Sequence, residues 1–307
     1  MEFIEELRSL KEQVKFEAKF DVGNDFQKVV IAGMGGSGIV GRIFQELYSD
    51  KPVYLVNDYN IPNFVGRDTL FIAVSYSGNT EETLSATRSA IKKRARVVAI
   101  TSGGELAQIV DEKAIVPKGL QPRSGLGYML MPIINTLAPQ KRSTIEKTYM
   151  LLDRMDKDNT EMRAMAERIN KSKGIPVIYG YFPFGAVAYR WKTQFNENAK
   201  VLAHSSSFPE LNHNETMALS ETYRKGGVFV IAFANTNDSR IAKRILWTQR
   251  LTKSRFELVK PKGTSTFERL FYLIHYGDYV SHHLSLLRKV DPTDISLIEQ
   301  LKRSVSK

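Results

Sequence analysis

Apolar and polar positions alternate in two distinct rhythms along this chain. Phe3, Ile4, Leu7, Leu10 and Val14 recur at helical spacing and predict a helix over residues 2–19. The run Val29-Val30-Ile31-Ala32 then reads as a strand and stops at Gly33-Met34-Gly35-Gly36-Ser37-Gly38. Helical spacing resumes at Ile39, Val40, Ile43, Phe44 and Leu47. Further strands follow at 53–56, 70–74, 97–100 and 114–116, with a helix from the end of the third strand to about Arg94 and another opening near Ser124. Strands that are apolar throughout and alternate with helices bury both faces, as in a parallel sheet built from βαβ units. Two long helices between Thr144 and Asn170 act as a divider. The alternation then restarts with strands at 177–179, 228–232 and 256–259 and helices at about 186–200, 238–252, 265–288 and 294–305. The expectation is an α/β protein of two similar doubly wound halves, residues 1–150 and 151–307. Each half is a mostly parallel sheet covered by helices on both faces.

Composition narrows the function classes. Hydrophobic residues make up 42% and charged residues 25%, so the chain has enough apolar material for folded cores and does not read as disordered. It has no cysteine, which excludes disulfides, thiolate nucleophiles and Cys-ligated metals. Lys+Arg 44 against Asp+Glu 33 gives a formal charge of +11, suited to phosphorylated ligands. The basic segments at Lys92–Arg96 and Lys243–Lys262 come without a helix-turn-helix, RNP or zinc-finger pattern and read as solvated faces, not a nucleic-acid groove. The acidic start lacks a signal-peptide pattern, and Leu126–Ala138 is too short to span a membrane, so a cytoplasmic protein is expected.

Two strand-to-helix loops have the chemistry of a phosphate site. Gly33-x-Gly35-x-x-Gly38 matches a dinucleotide fingerprint, with Asp58 twenty residues past its last glycine, so a nicotinamide-dependent dehydrogenase stands as an alternative. Ser37 adds a hydroxyl donor to that loop. The second loop, Ser75-Tyr76-Ser77-Gly78-Asn79-Thr80, crowds three hydroxyls ahead of a helix N-terminus, where amides and the helix dipole favour an anion. Asn79-x-x-Glu82 also resembles an ordinary capping box. Both loops leave strand C-termini of one sheet, where α/β ligands bind.

Three other stretches carry candidate chemistry. Arg123, in Pro122-Arg123-Ser124-Gly125-Leu126-Gly127, precedes a helix and suits an oxyanion contact. Glu197 ends an apolar-striped helix, beside the negative end of its dipole, a placement that disfavours ionisation and suits a general base, but one that equally fits a solvent glutamate paired with Lys200 at i+3. His213 sits between two asparagines in a polar loop, Pro209–Glu215, where core packing does not explain it and either a hydrogen-bonded loop residue or a functional histidine fits. The remaining histidines show no metal-ligand spacing, so no metal is expected.

Taken together, Gly-Gly-Ser-Gly, Ser-Tyr-Ser-Gly-Asn-Thr-Glu-Glu-Thr, Asn-Glu-Asn-Ala-Lys and Asn-His-Asn-Glu resemble the sugar isomerase (SIS) domain family, and within it the archaeal-type bifunctional phosphoglucose/phosphomannose isomerases. The resemblance implies a cofactor-free aldose–ketose isomerase acting on phosphorylated hexoses. Gly36, Ser37, Ser75, Ser77 and Thr80 would hold the phosphate. Glu197 would be the base, His213 the ring-opening residue with Lys302 assisting, and Arg123 the stabiliser of the enediol. Lys289 and Arg303 compete with Lys302, and Thr293 is the candidate for the threonine linked to mannose acceptance. A homodimer with composite active sites is implied as well, with no nucleic-acid or membrane partner. A non-catalytic phosphosugar-binding module remains the other alternative.

Overall fold

A computed structural model describes residues 2–234 and 238–305. It divides into two compact units, residues 5–154 with 263–271, and residues 1–4, 155–262 and 272–307.

The first unit opens with two short helices, α1 (Phe3–Arg8, begun in the other unit) and α2 (Leu10–Gln13), in place of one helix over 2–19. Buried Gln13 explains why the second stops. Its amide donates to the carbonyl of Ser124 and its oxygen accepts from the amide of Gly127, so the chain is committed to a tertiary anchor there. Strand β1 (Lys28–Ala32) leads to α3 (Gly35–Leu47), then β2 (Val53–Val56), β3 (Thr69–Val74), α4 (Glu81–Lys92), β4 (Arg96–Thr101), the short α5 (Leu106–Ile109) and β5 (Lys113–Ile115). Helix α6 (Leu126–Leu137) and α7 (Ile145–Lys157) follow. The sheet order is β2-β1-β3-β4-β5, and every pairing is parallel. Right-handed crossovers that leave β1 in one direction and β3 in the other put α3 and α4 on opposite faces. Strand β3 is buried at every position, and Val30, Ala32, Phe71, Ala73, Leu84, Ala86 and Ala99 share one core cluster.

The second unit repeats the plan with four strands. After α7, α8 (Thr160–Ser172) leads to β6 (Ile175–Tyr181), α9 (Gly185–Asn198), β7 (His204–Phe208), α10 (Glu215–Arg224), β8 (Val228–Phe233), α11 (Ser239–Thr252) and β9 (Phe256–Val259). Helices α12 (Thr266–Arg288) and α13 (Ser296–Val305) close the chain, α12 entering this unit at Tyr272. The order β7-β6-β8-β9 is again parallel throughout. Strand β7 escapes sequence inspection because His204-Ser205-Ser206-Ser207 is polar; it is an edge strand that, among the described residues, pairs with β6 alone. Trp191 is fully buried, donates through its indole to the carbonyl of Leu273 at 2.8 Å, and stacks on Tyr276.

Helix α12 also carries buried histidines. His282 lies against Phe3 and His283, and burial, with the neighbouring His283 second, pulls its pKa from 6.5 down to about 4. Between those values the unfolded chain binds the extra proton, so stability is complete above about pH 6.5 and is lost as the pH falls toward 4. The expected loss from pH 7 to pH 5 is about 2 kcal/mol larger in the wild type than in His282→Phe, measured by urea unfolding at both pH values.

Candidate active site

In the first unit the strand order reverses between β1 and β3, and the carboxyl ends of the strands at such a switch point are where open α/β sheets bind ligands. Both loops singled out in the sequence leave this point. The amide of Tyr76 donates to Ser37 Oγ at 3.2 Å, which ties the serine loop to the glycine loop. Ser75 is buried, and its hydroxyl takes the amide of Gly78 at 3.1 Å and meets Thr80 Oγ1 at 2.9 Å. Ser77 is exposed at the tip and accepts from the amide of Asn79. Gly78 has φ of +72°, and a Cβ there would lie 1.8 Å from the carbonyl oxygen of Gly103, so no other residue fits this turn.

The capping-box reading of Asn79 and Glu82 is not what forms. Thr80 is the N-cap of α4, its hydroxyl faces Ser75 and does not cap the helix, and Asn79 Oδ1 accepts from the amide of Glu105. The hydroxyls of Ser75 and Thr80 are therefore paired with each other at the helix start, with Ser77 exposed at the tip of the same loop.

Arg123 joins the same place. A Cβ on Gly36 would lie 2.8 Å from Arg123 Cα, so the glycine loop rests directly on the arginine's backbone. Arg123 is buried and donates to Gln121 Oε1 at 3.3 Å, and the Gln121 amide donates to Glu6 Oε2. Tyr76 braces this segment from the serine loop: its hydroxyl donates to the carbonyl of Pro117 and accepts from the amide of Leu120. Tyr76 was not singled out in the sequence, since an aromatic between two serines gives no sign of where its hydroxyl will reach. Gly36, Ser37, Ser75, Ser77, Thr80 and Arg123 thus form one group. Asp58, the residue a dinucleotide ribose would need, is exposed and accepts from the amide of Asn60.

The second unit holds the other candidates. Glu197 stands in the last turn of α9, half-buried, and each polar neighbour in Asn196-Glu197-Asn198-Ala199-Lys200 has a structural task. Asn196 Oδ1 accepts from the amide of Ala203; buried Asn198 donates to Ser281 Oγ; Lys200 Nζ donates to the carbonyl of Glu197 itself. Arg288 Nε donates to the carbonyl of Ala199. Two cations therefore stand at the helix end, against the negative dipole that the sequence reading gave Glu197 for company.

Along α9, Arg190, Gln194 and Asn198 form a buried polar stripe facing α12. Arg190 Nη2 lies 2.9 Å from both oxygens of Asp278, and Gln194 donates to Asp278 Oδ1 at 2.7 Å. This seam sets the rotation of α9, and so the direction of Glu197. The spacing i, i+4, i+8 was its sequence signal, masked by the apolar stripe beside it.

Glu197 also lines an open cleft of about 520 Å³ with Lys200, Leu202, Asp294, Ile295 and Leu297. His213 is exposed at the end of a short 3-10 turn, Glu210–His213, and the segment is not a plain loop. Its neighbours anchor it: Asn212 donates to Thr248 Oγ1 at 2.7 Å, and Asn214 caps α10 by accepting from the amide of Glu215. Thr293 gives its amide and hydroxyl to Asp291 Oδ1, whose pKa this hydroxyl hydrogen bond lowers first of all. Lys302 is exposed on α13. Among the described residues no group of three or more His, Asp or Glu is placed to hold a metal ion, and no helix is long and apolar enough to cross a membrane.

Residues 158–305 match the family described as the bacterial phospho-glucose isomerase C-terminal SIS domain. A bifunctional phosphoglucose/phosphomannose isomerase from Thermoplasma volcanium is 55% identical over 306 residues, covering 100% of both chains. The protein of the same name from Thermoplasma acidophilum is 56% identical, covering 100% of this chain and 98% of its own. Among solved structures, the C-terminal domain of glucosamine-fructose-6-phosphate aminotransferase from Francisella tularensis superposes with a TM-score of 0.77 at 14% identity, covering 95% of this chain and 96% of that one, a likeness of fold. With full-length identity at this level and both α/β units in place, the chain belongs to the family of bifunctional phosphoglucose/phosphomannose isomerases.

Proposed function

We propose that the protein is an aldose–ketose isomerase that interconverts fructose 6-phosphate with glucose 6-phosphate and mannose 6-phosphate. The observation that carries this reading is the hydroxyl group of the first unit, Ser75, Ser77 and Thr80 at the start of α4, joined to Arg123 through Gly36. Neutral hydroxyls and backbone amides hold a terminal phosphate, and buried Arg123, whose backbone lies against Gly36, supplies the guanidinium for the oxygen that becomes negative during proton transfer. Gly36, Ser37, Ser75, Ser77 and Thr80 take the phosphate. His213 passes a proton to or from the ring oxygen with Lys302 assisting, and Glu197 moves the proton between C1 and C2 through a cis-enediol. Thr293 contributes to accepting the mannose epimer. The reaction is redox-neutral within the sugar, so the reading requires no nicotinamide. A cytoplasmic location goes with it.

A coupled assay with fructose 6-phosphate as substrate tests the activity; absence of both aldose products overturns it. Ser77→Ala is expected to weaken phosphosugar binding by about 1–3 kcal/mol, read by calorimetry, through loss of a charge-assisted hydrogen bond. Equal turnover of glucose and glucose 6-phosphate would remove the cradle from the mechanism.

We also propose a homodimer with two composite sites. The turn that carries His213 is tied to α11 through Asn212, and apolar side chains stand exposed close by in sequence and on α11: Met217 at 85%, Trp247 at 52% and Leu251 at 70%. A two-fold contact over this face covers them and lets His213 of one protomer serve Glu197 of the other. Glu197→Gln and His213→Ala, each nearly inactive, are then expected to regain activity when mixed under subunit exchange. A monomer by light scattering, or no recovery with exchange verified, refutes the arrangement.

A further inference from the structure

The roles assigned above leave a charged side chain beside the base without one. Lys200 Nζ donates to the carbonyl of Glu197 at 2.6 Å and to the carbonyl of Asp294 at 2.8 Å. The first bond closes the last turn of α9 beneath the base. The second reaches the turn that opens α13. The backbone at Lys200 is left-handed, φ of +53°, a conformation that glycine enters freely and a residue with a Cβ does not. Arg94, Lys173, Lys253 and Lys289 share this conformation, so the backbone alone does not single out Lys200; its two hydrogen bonds do. Neutralising the helix end is a weak reason for a lysine here, because Arg288 already donates to the carbonyl of Ala199. The carbonyl of Asp294 is the stronger one. Helix α13 is exposed from Ser296 to Ser304, with Leu297 at 79%, so packing within this unit contributes little to where it lies, and a hydrogen bond at its entry contributes correspondingly more.

We propose that Lys200 is a positioning residue for the isomerisation. Its ammonium fixes the end of α9 that bears Glu197 to the entry of α13, so that the base and the segment carrying Thr293 and Lys302 keep one spacing. The proposal rests on the isomerase reading given above.

Two variants separate the cation from the backbone. Lys200→Gly relaxes the left-handed residue and removes both hydrogen bonds; Lys200→Arg keeps a cation long enough to reach both carbonyls. Lys200→Gly is expected to lower kcat about 10–100-fold while KM for fructose 6-phosphate changes less than about threefold, with the far-UV spectrum and unfolding midpoint retained. Lys200→Arg is expected to recover kcat to within about fivefold of wild type. Turnover of Lys200→Gly within about twofold of wild type, or equal impairment of the two variants, overturns the proposal.

Hydrogen exchange read by mass spectrometry probes the clamp without turnover. Lys200→Gly is expected to speed exchange in residues 195–203 and 294–300 and to leave the first unit unchanged; no change in either segment overturns the clamp itself. A wild-type protein that turns over no fructose 6-phosphate overturns the isomerase reading and the catalytic half of this proposal. The two failures are thus read by different instruments.

Discussion

Glu197→Gln is expected to lower turnover about 10²–10⁴-fold or more and to leave phosphosugar affinity nearly unchanged. The glutamine keeps the volume and both heteroatoms of the side chain and removes its ability to take a proton. The surroundings are built to hold either residue in the same place. Asn196 is bonded to the amide of Ala203, Asn198 to Ser281, and the carbonyl of residue 197 itself receives Lys200. None of these contacts uses the carboxylate, so none changes with the substitution. The loops taken to hold the phosphate belong to the other unit and are equally untouched. The expected pattern is therefore a loss confined to kcat, measured by the coupled assay, with inhibitor binding measured by calorimetry as the control. Near-normal turnover by the glutamine variant would strike Glu197 from the mechanism and move the search for the base elsewhere in the second unit.

Asp278→Ala is expected to lower the stability of the protein by about 3–5 kcal/mol. Arg190 and Asp278 are both buried, with side-chain exposures of 2% and 5%, and the carboxylate meets the guanidinium through both oxygens. Removing the carboxylate leaves a guanidinium in a protein interior without its compensating charge. It also deprives Gln194 of an acceptor. The cost comes chiefly from that stranded cation, not from the net worth of the pair, and this has a consequence that urea unfolding can check. Arg190→Met combined with Asp278→Leu removes both charges and is expected to recover most of the loss. A double variant no more stable than Asp278→Ala would show that the seam contributes through its hydrogen bonds and geometry, not through charge balance.

Much of this protein is legible in its residues taken in order. The interior strands of both sheets, β1, β3, β4, β6 and β8, each carry a run of successive apolar residues, such as Val29–Ala32, Leu70–Val74, Val97–Ile100, Val177–Tyr179 and Val228–Phe233, because both of their faces are covered. The glycine and serine loops announce themselves through local turn chemistry: Gly78 has φ of +72° with no room for a Cβ, and the small and hydroxyl side chains around it are those of a tight strand-to-helix turn. What failed in the reading failed where one contact from far along the chain outweighs local periodicity. The helix expected over 2–19 ends at Gln13 because that side chain serves the turn at Ser124 and Gly127. Strand β7 is polar and forms because β6 offers it an edge. Asn79 looks like a helix cap and is an acceptor for Glu105.

The sequence by itself determined the class of fold, the order of its elements, and the hydroxyl and glycine loops, which follow from short-range rules, the periodicity of apolar residues and the chemistry of a few neighbouring positions. Glu197, His213 and Arg123 drew attention through the resemblance of their surrounding motifs to a known family, since local rules explain each equally well as an ordinary surface or loop residue. Only the tertiary structure decided that Ser37, Ser75, Thr80 and Arg123 form one group, that Tyr76 braces it, and that the end of α9 is pinned by Lys200, Arg288 and the Arg190–Asp278 seam. These pairings join residues tens of positions apart, and their strength depends on burial, which removes competing water and makes a single hydrogen bond or ion pair directional. Burial is a property of the packed chain, and no local stretch of residues contains it.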